Sequence, residues 1–141
     1  MARRPVYVPF SVNVFVPKPE TSEDLNYFAG LLNSKLLWNW YSHYAKRRGV
    51  ALEINGNVLA RTPIRRINVS DAGDKSRHDE MVAKVGAMLE AKKQLAKAKT
   101  DKDKTYYENK CAALDRQIDR LVYDLYGLTE DEIRIVEQPQ E

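Results

Sequence analysis

Two histidines, one cysteine and a pair of aspartates four residues apart are the side chains of this sequence best suited to catalysis or metal binding. His43 and His78 lie in separate segments of helical pattern, with no cysteine or spaced carboxylate to complete a zinc set. Both are expected to have ordinary helix-surface roles. Cys111 has no histidine nearby in sequence to take its proton, and it falls on an apolar stripe where a small thiol packs well. A single cysteine also excludes an internal disulfide and a cysteine-based metal site. Asp115 and Asp119 share a helix face, but Arg116 and Arg120 flank them, so a solvated, salt-bridged face is expected. There is no glycine-rich phosphate loop; the six glycines fall mostly at predicted turns. The chain is therefore expected to be non-catalytic, with no cofactor and no metal.

The cations are better placed for function. Arg3 and Arg4, then Lys46, Arg47 and Arg48, then Arg61, Arg65 and Arg66 lie at the ends of predicted elements, where their side chains can reach outward. Arginine forks match guanine edges and phosphates, so these eight residues are the candidate DNA-contacting set. The net charge of +3 is unevenly spread. Through Arg66 there are ten Lys/Arg against four Asp/Glu, and from Ile67 onward 13 against 16. A basic first half is what a phosphate-contacting surface requires, because neutralised phosphates release condensed counterions.

At 141 residues, with 43% hydrophobic and 30% charged side chains, one globular domain with a real core is expected. No apolar run has the length of a signal peptide or a membrane span, so a cytoplasmic protein without membrane contact is expected.

The elements that must position the cations follow from periodicity. Alternation from Val6 to Val16 predicts a half-buried strand, with Pro9 marking an edge or bulge. Thr21 and Ser22, followed by Glu23 and Asp24, start a helix that carries Leu25, Phe28, Leu31, Leu32 and Leu36 to about Ala45. Trp38 and Trp40 fall on different faces of it, so at least one is expected to be partly exposed. The run from Lys46 to Gly49 ends that helix. Asn55-Gly56, between two apolar runs, predicts a hairpin turn that brings the cations of 46–48 close to those of 61–66. Residues 61–69 form a further short extended stretch. Asp71 to Asp74 is a turn that delivers a long helix, followed by a polar hinge at 99–104. A second arm follows in which Tyr107, Cys111, Leu114, Ile118, Leu121 and Leu125 form a heptad seam. Thr129, with Glu132 three residues on, caps a last short helix bearing Ile133 and Val136.

Four segments also carry a resemblance: Leu31-Leu32-Asn33-Ser34-Lys35-Leu36, Pro63-Ile64, His78-Asp79-Glu80-Met81-Val82, and the stretch from Gln117 to Glu137 containing Leu-Val-Tyr-Asp-Leu-Tyr-Gly-Leu-Thr. In this order they resemble the C-terminal specificity region of type II restriction-modification enzymes and TaqI-like adenine-N6 DNA methyltransferases. The resemblance implies that the chain selects a double-stranded DNA sequence. Its helices would act as spacers or as docking surfaces for an adenine methyltransferase or endonuclease domain or subunit. The family's Asn/Asp-Pro-Pro-Tyr/Phe methyltransferase motif is absent from this sequence, as is its Pro-Asp…Glu-x-Lys nuclease core. The chain is expected to be a fragment or a stand-alone specificity domain.

The expected fold is α+β: a small, partly antiparallel sheet with a packed helix, then a long antiparallel helical hairpin and a short C-terminal helix. Residues 1–70 form the target-recognition-like part and 71–141 the hairpin part, together one unit. The alternatives are a protein-interaction module that dimerises or docks through the hairpin, and a basic helical arm gripping structured RNA.

Overall fold

The computed structural model of the chain describes residues 12–138, which form six α-helices and one two-stranded antiparallel sheet. The architecture is α+β with a long helical hairpin and a short terminal helix, as expected. The sheet shares one strand, within the apolar run at 50–54, with the expected hairpin, but pairs it with the residues before it rather than after it.

The single helix expected from about residue 21 to 45 is two helices, α1 (Leu25–Leu32) and α2 (Lys35–Tyr44). Asp24, rather than Thr21 or Ser22, caps the first by accepting from the Asn26 amide at 2.7 Å. The break at Asn33-Ser34 comes from one hydroxyl. Ser34 Oγ donates to the Leu31 carbonyl at 2.7 Å and accepts from the Leu37 amide at 3.3 Å, closing one helix and opening the next. The two tryptophans separate as expected, with Trp38 49% exposed and Trp40 half-buried against the core.

Lys46–Arg48 does not end a helix by charge alone; it is strand β1, paired with β2 (Ala51–Glu53). Lys46 stands opposite Glu53, Arg47 opposite Leu52 and Arg48 opposite Ala51. The chain reverses at Gly49-Val50, where Gly49 takes φ of 62°, a conformation that costs glycine little. The hairpin expected at Asn55-Gly56 is absent because Asn55 takes its other common role. Its Oδ1 accepts from the Asn57 and Val58 amides, both at 3.1 Å, and caps α3 (Gly56–Arg61).

Residues 62–68 are extended but join no strand. Side chains from other elements bond several of their backbone groups instead. Tyr126 Oη donates to the Pro63 carbonyl at 2.6 Å and accepts from the Arg65 amide at 3.1 Å. Tyr27 Oη donates to the Arg65 carbonyl at 2.6 Å, and the Ile67 amide donates to Glu23 at 3.1 Å. The expected N-terminal strand is not formed where it can be seen: residues 12–16 are irregular and exposed, with Phe15 resting on Phe28 at 5.3 Å. Its remainder, from Val6, lies outside the described residues.

The hairpin pairs α4 (Ala72–Lys97) with α5 (Asp101–Tyr126), each 26 residues, about 39 Å long at 1.5 Å per residue. The turn expected at 71–74 is already helix: Asp71 caps α4 by accepting from the Asp74 amide at 2.7 Å, so the helix begins at Ala72. The hinge is tighter than 99–104: Thr100 already caps α5 by accepting from the Asp103 amide at 3.1 Å. Along the seam Cys111, Ile118, Leu121 and Leu125 are buried, while Tyr107 and Leu114 are half-buried. Gly127, at φ of 67°, ends α5, and the Thr129–Glu132 capping box opens α6 (Glu130–Glu137) as anticipated. The core joins Tyr27, Phe28 and Leu31 of α1 to Met81 and Val85 of α4 and to Val122 of α5, so it is shared between residues before and after 70. Among the described residues, no helix is long and apolar enough to cross a membrane.

Candidate nucleic-acid interface

The candidate cations do not form one patch. Arg3 and Arg4 lie outside the described residues. The expected convergence of 46–48 with 61–66 depended on a turn at Asn55-Gly56, and α3 stands there instead. The remaining six candidates divide into two groups with different surroundings.

Lys46, Arg47 and Arg48 are exposed on β1, on a ribbon that follows α2 after the single residue Ala45. The ribbon lies over the Trp38 and Ser42 side of α2, enclosing with it a recess of about 90 Å³. Arg48 Nε pairs with Glu53 across the ribbon. That hydrogen bond holds the Glu53 carboxyl below its ordinary range and the Arg48 guanidinium above its own. Arg61, the last residue of α3, projects back to the same place. Its guanidinium carbon sits 5.5 Å from the centroid of the Tyr44 ring, and Tyr44 stacks on Trp40 at 4.6 Å and 27°.

Arg65 and Arg66 belong to the scaffold. Arg65 forks onto Asp74 at 2.9 and 3.1 Å and donates to the Leu125 carbonyl at 3.3 Å. Arg66 forks onto the buried Glu23 at 2.6 and 3.1 Å. Burial pushes the Glu23 carboxyl up, but the Arg66 guanidinium and the Ile67 amide together outweigh it and leave the pKa at about 2. A folded-state pKa below the unfolded 4.5 means stability that is present above pH 4.5 and lost as pH falls through about 2. Glu23→Gln should therefore be less stable than the parent at neutral pH and lose less between pH 4.5 and 2. Urea melts across that range check it; parallel losses in the two proteins would remove Glu23 as the acid-sensitive group.

Two residues read as surface groups are structural ties. His78 Nε2 accepts from the Asp24 amide at 3.0 Å, and its ring packs on Tyr27 at 5.3 Å, so it joins α4 to the start of α1. Nε2 as acceptor leaves the proton on Nδ1, which faces Asp79 at 2.9 Å. Asp119 is not on a solvated face but only 3% exposed. Its Oδ1 accepts from the Lys35 amide at 2.9 Å, supporting the first turn of α2, while Oδ2 has only Lys35 Nζ at 3.9 Å. Burial, with Asp115 and Glu137 nearby, raises its pKa against the Lys35 contacts. A carboxylate reaching across to another element was invisible to a spacing rule that compares neighbours on one helix.

A further concavity of about 590 Å³ lies between α1, α4 and α5, lined by Val85, Met88, Leu95 and Cys111 with Lys92 and Asp115 also on its wall. Among the described residues, no group of three or more His, Cys, Asp or Glu side chains is placed to hold a metal ion. Comparison of the chain with protein-family models, with curated proteins and with solved structures gave no match.

Proposed function

We propose that this chain is a non-catalytic DNA target-recognition module of a restriction-modification system. The observation that carries this reading is the cationic ribbon of β1 and β2, held on the end of α2. A two-stranded β-ribbon has the width to enter the major groove of duplex DNA, where the base-pair edges are distinguishable. Lys46 and Arg47 on its first strand would anchor phosphates and fix its register on the duplex. Methyl transfer or cleavage would be supplied by an adenine methyltransferase or endonuclease domain or subunit.

The placement of the resembling segments supports the same division of labour. The Asn-Ser-Lys segment and the Gln-Ile-Asp segment meet at the hydrogen bond from the Lys35 amide to Asp119. Pro63 of the Pro-Ile segment meets the Leu-Tyr-Gly segment at Tyr126. His78 meets the capping residue of α1. These segments make the frame, and the ribbon lies outside them, free to differ in what it reads.

A second reading, a protein-docking module, draws on the open apolar concavity between α1, α4 and α5. A salt series of duplex-DNA binding separates the two. Each phosphate contact contributes about 0.9 to the slope of log affinity on log salt. Replacing Lys46 and Arg47 together by Ala is expected to weaken binding on every sequence and to flatten that slope by roughly two. Equal affinity and an unchanged slope in the double variant would leave the docking module ahead.

A further inference from the structure

The candidate arginines differ in what already occupies their donors, and that difference selects one of them as a reader of bases. Arg65 spends its fork on Asp74 and Arg66 on Glu23, and Arg48 spends Nε on Glu53. Arg61 makes no ion pair among the described residues; its recorded contact is with the face of Tyr44. A ring face attracts a guanidinium through its quadrupole and leaves the in-plane N–H donors unspent. The guanidinium is thus positioned, with its donors available.

The support beneath it is layered. Tyr44 is 52% exposed, lies at the last position of α2, and stacks at 4.6 Å on Trp40, which packs against the core. Arg61 itself closes α3, whose start is fixed by the Asn55 cap and whose Val58 is buried. Both ends of the Arg61–Tyr44 contact are therefore set by helices rather than by loops. Holding a long side chain in one orientation before binding removes part of the entropy lost on binding. The pair stands at the root of β1, where a ribbon in the major groove would bring it beside base edges.

We propose that Arg61 is a specificity-determining residue that recognises a guanine by donating two parallel hydrogen bonds to N7 and O6, with Tyr44 as its positioning residue. The inference rests on the DNA-recognition reading above and adds the chemical identity of one base. Guanine is the base that matches: it presents two adjacent acceptors in the major groove, whereas adenine presents N7 beside an amino donor. Lysine is not equivalent at such a site, because an ammonium cannot offer a planar fork.

The test selects sequences from a randomised duplex-DNA pool with the full chain and with Arg61→Ala, then measures affinities on the enriched duplex. The expected consensus contains a fixed guanine that becomes degenerate for Arg61→Ala while its neighbours persist, with roughly a 10–100-fold loss on the enriched duplex. Arg61→Lys should fail to restore the preference, Tyr44→Phe should keep it and Tyr44→Leu should weaken it. Substituting 7-deazaguanine at that position, which removes the N7 acceptor and leaves the protein unaltered, should weaken the parent and leave Arg61→Ala unaffected. A parent chain that selects a guanine still fixed for Arg61→Ala, or equal losses from 7-deazaguanine in both proteins, overturns the assignment to Arg61 alone. Binding to duplex DNA without sequence preference also overturns it and leaves the phosphate-anchoring reading intact. No binding to duplex DNA, or preference for duplex RNA, overturns both.

Discussion

Gly30→Leu is expected to abolish cooperative folding, the largest effect of any single substitution considered for this chain. Gly30 is buried on α1 against Met81 and Val85 of α4. A Cβ there would lie 2.4 Å from Met81 Sδ, 3.0 Å from Met81 Cγ and 3.2 Å from Val85 Cγ2. Met81 is a flexible side chain, but it is fully buried, so it can yield only by displacing its neighbours. A leucine adds three further carbons beyond the atom that already collides. Gly30→Ala is the graded form of the same experiment. Alanine gains about 1 kcal/mol of helix propensity, against roughly 1–3 kcal/mol for an overpacked methyl, leaving a net loss of about 1 kcal/mol. Met81→Ala in the Gly30→Ala background should lose less than the two single losses added, since it removes the colliding atoms. Urea melts of the parent and the four variants measure these effects, and a Gly30→Leu transition overlaying the parent would show that α1 and α4 do not meet at Gly30.

The second large effect concerns the hairpin seam. Ile118→Ala is expected to cost roughly 2–5 kcal/mol, because it removes three carbons from a buried site and leaves a cavity bordering the shared core. Ile118 is 7% exposed and belongs to the cluster that includes Leu121, Val122 and Leu125. Leu114 occupies the preceding seam position, yet it is only half-buried, so water can fill part of the space its truncation leaves. Leu114→Ala should therefore cost less than half as much. Equal losses for the two variants would mean that the hairpin buries its whole length evenly. The concavity between α1, α4 and α5, which Ile118 and Cys111 help to line, argues that it does not.

What was legible in the residue pattern was whatever is decided within a few positions. The steps of three and four from Cys111 to Leu125 identify the buried stripe of α5 because a helix repeats its faces every 3.6 residues. Thr129 with Glu132 is a cap completed within three residues. What failed was decided at a distance, or by a residue with two equally good roles. Asn55 can open a helix or turn a hairpin, and nothing local chooses. The break at Ser34 is strengthened by Asp119, 84 residues away. The roles of Arg65 and Arg66 depend on Asp74 and Glu23, and the Glu23 pairing spans 43 residues. Clustered arginines look alike in sequence; only their acids show which of them hold the protein together.

The Asp119 cap sets more than the start of α2. That helix is ten residues long, about 15 Å, with Asp119 at one end and the cationic ribbon at the other. Its heel is tied to α5 by that carboxylate, and Leu37 and Tyr41 seat it in the shared core, so the ribbon's heading is an angle measured from the hairpin. A body seated on the hairpin would therefore meet the ribbon at a set angle. The same geometry makes α5 the reference line from which the position of the ribbon is set.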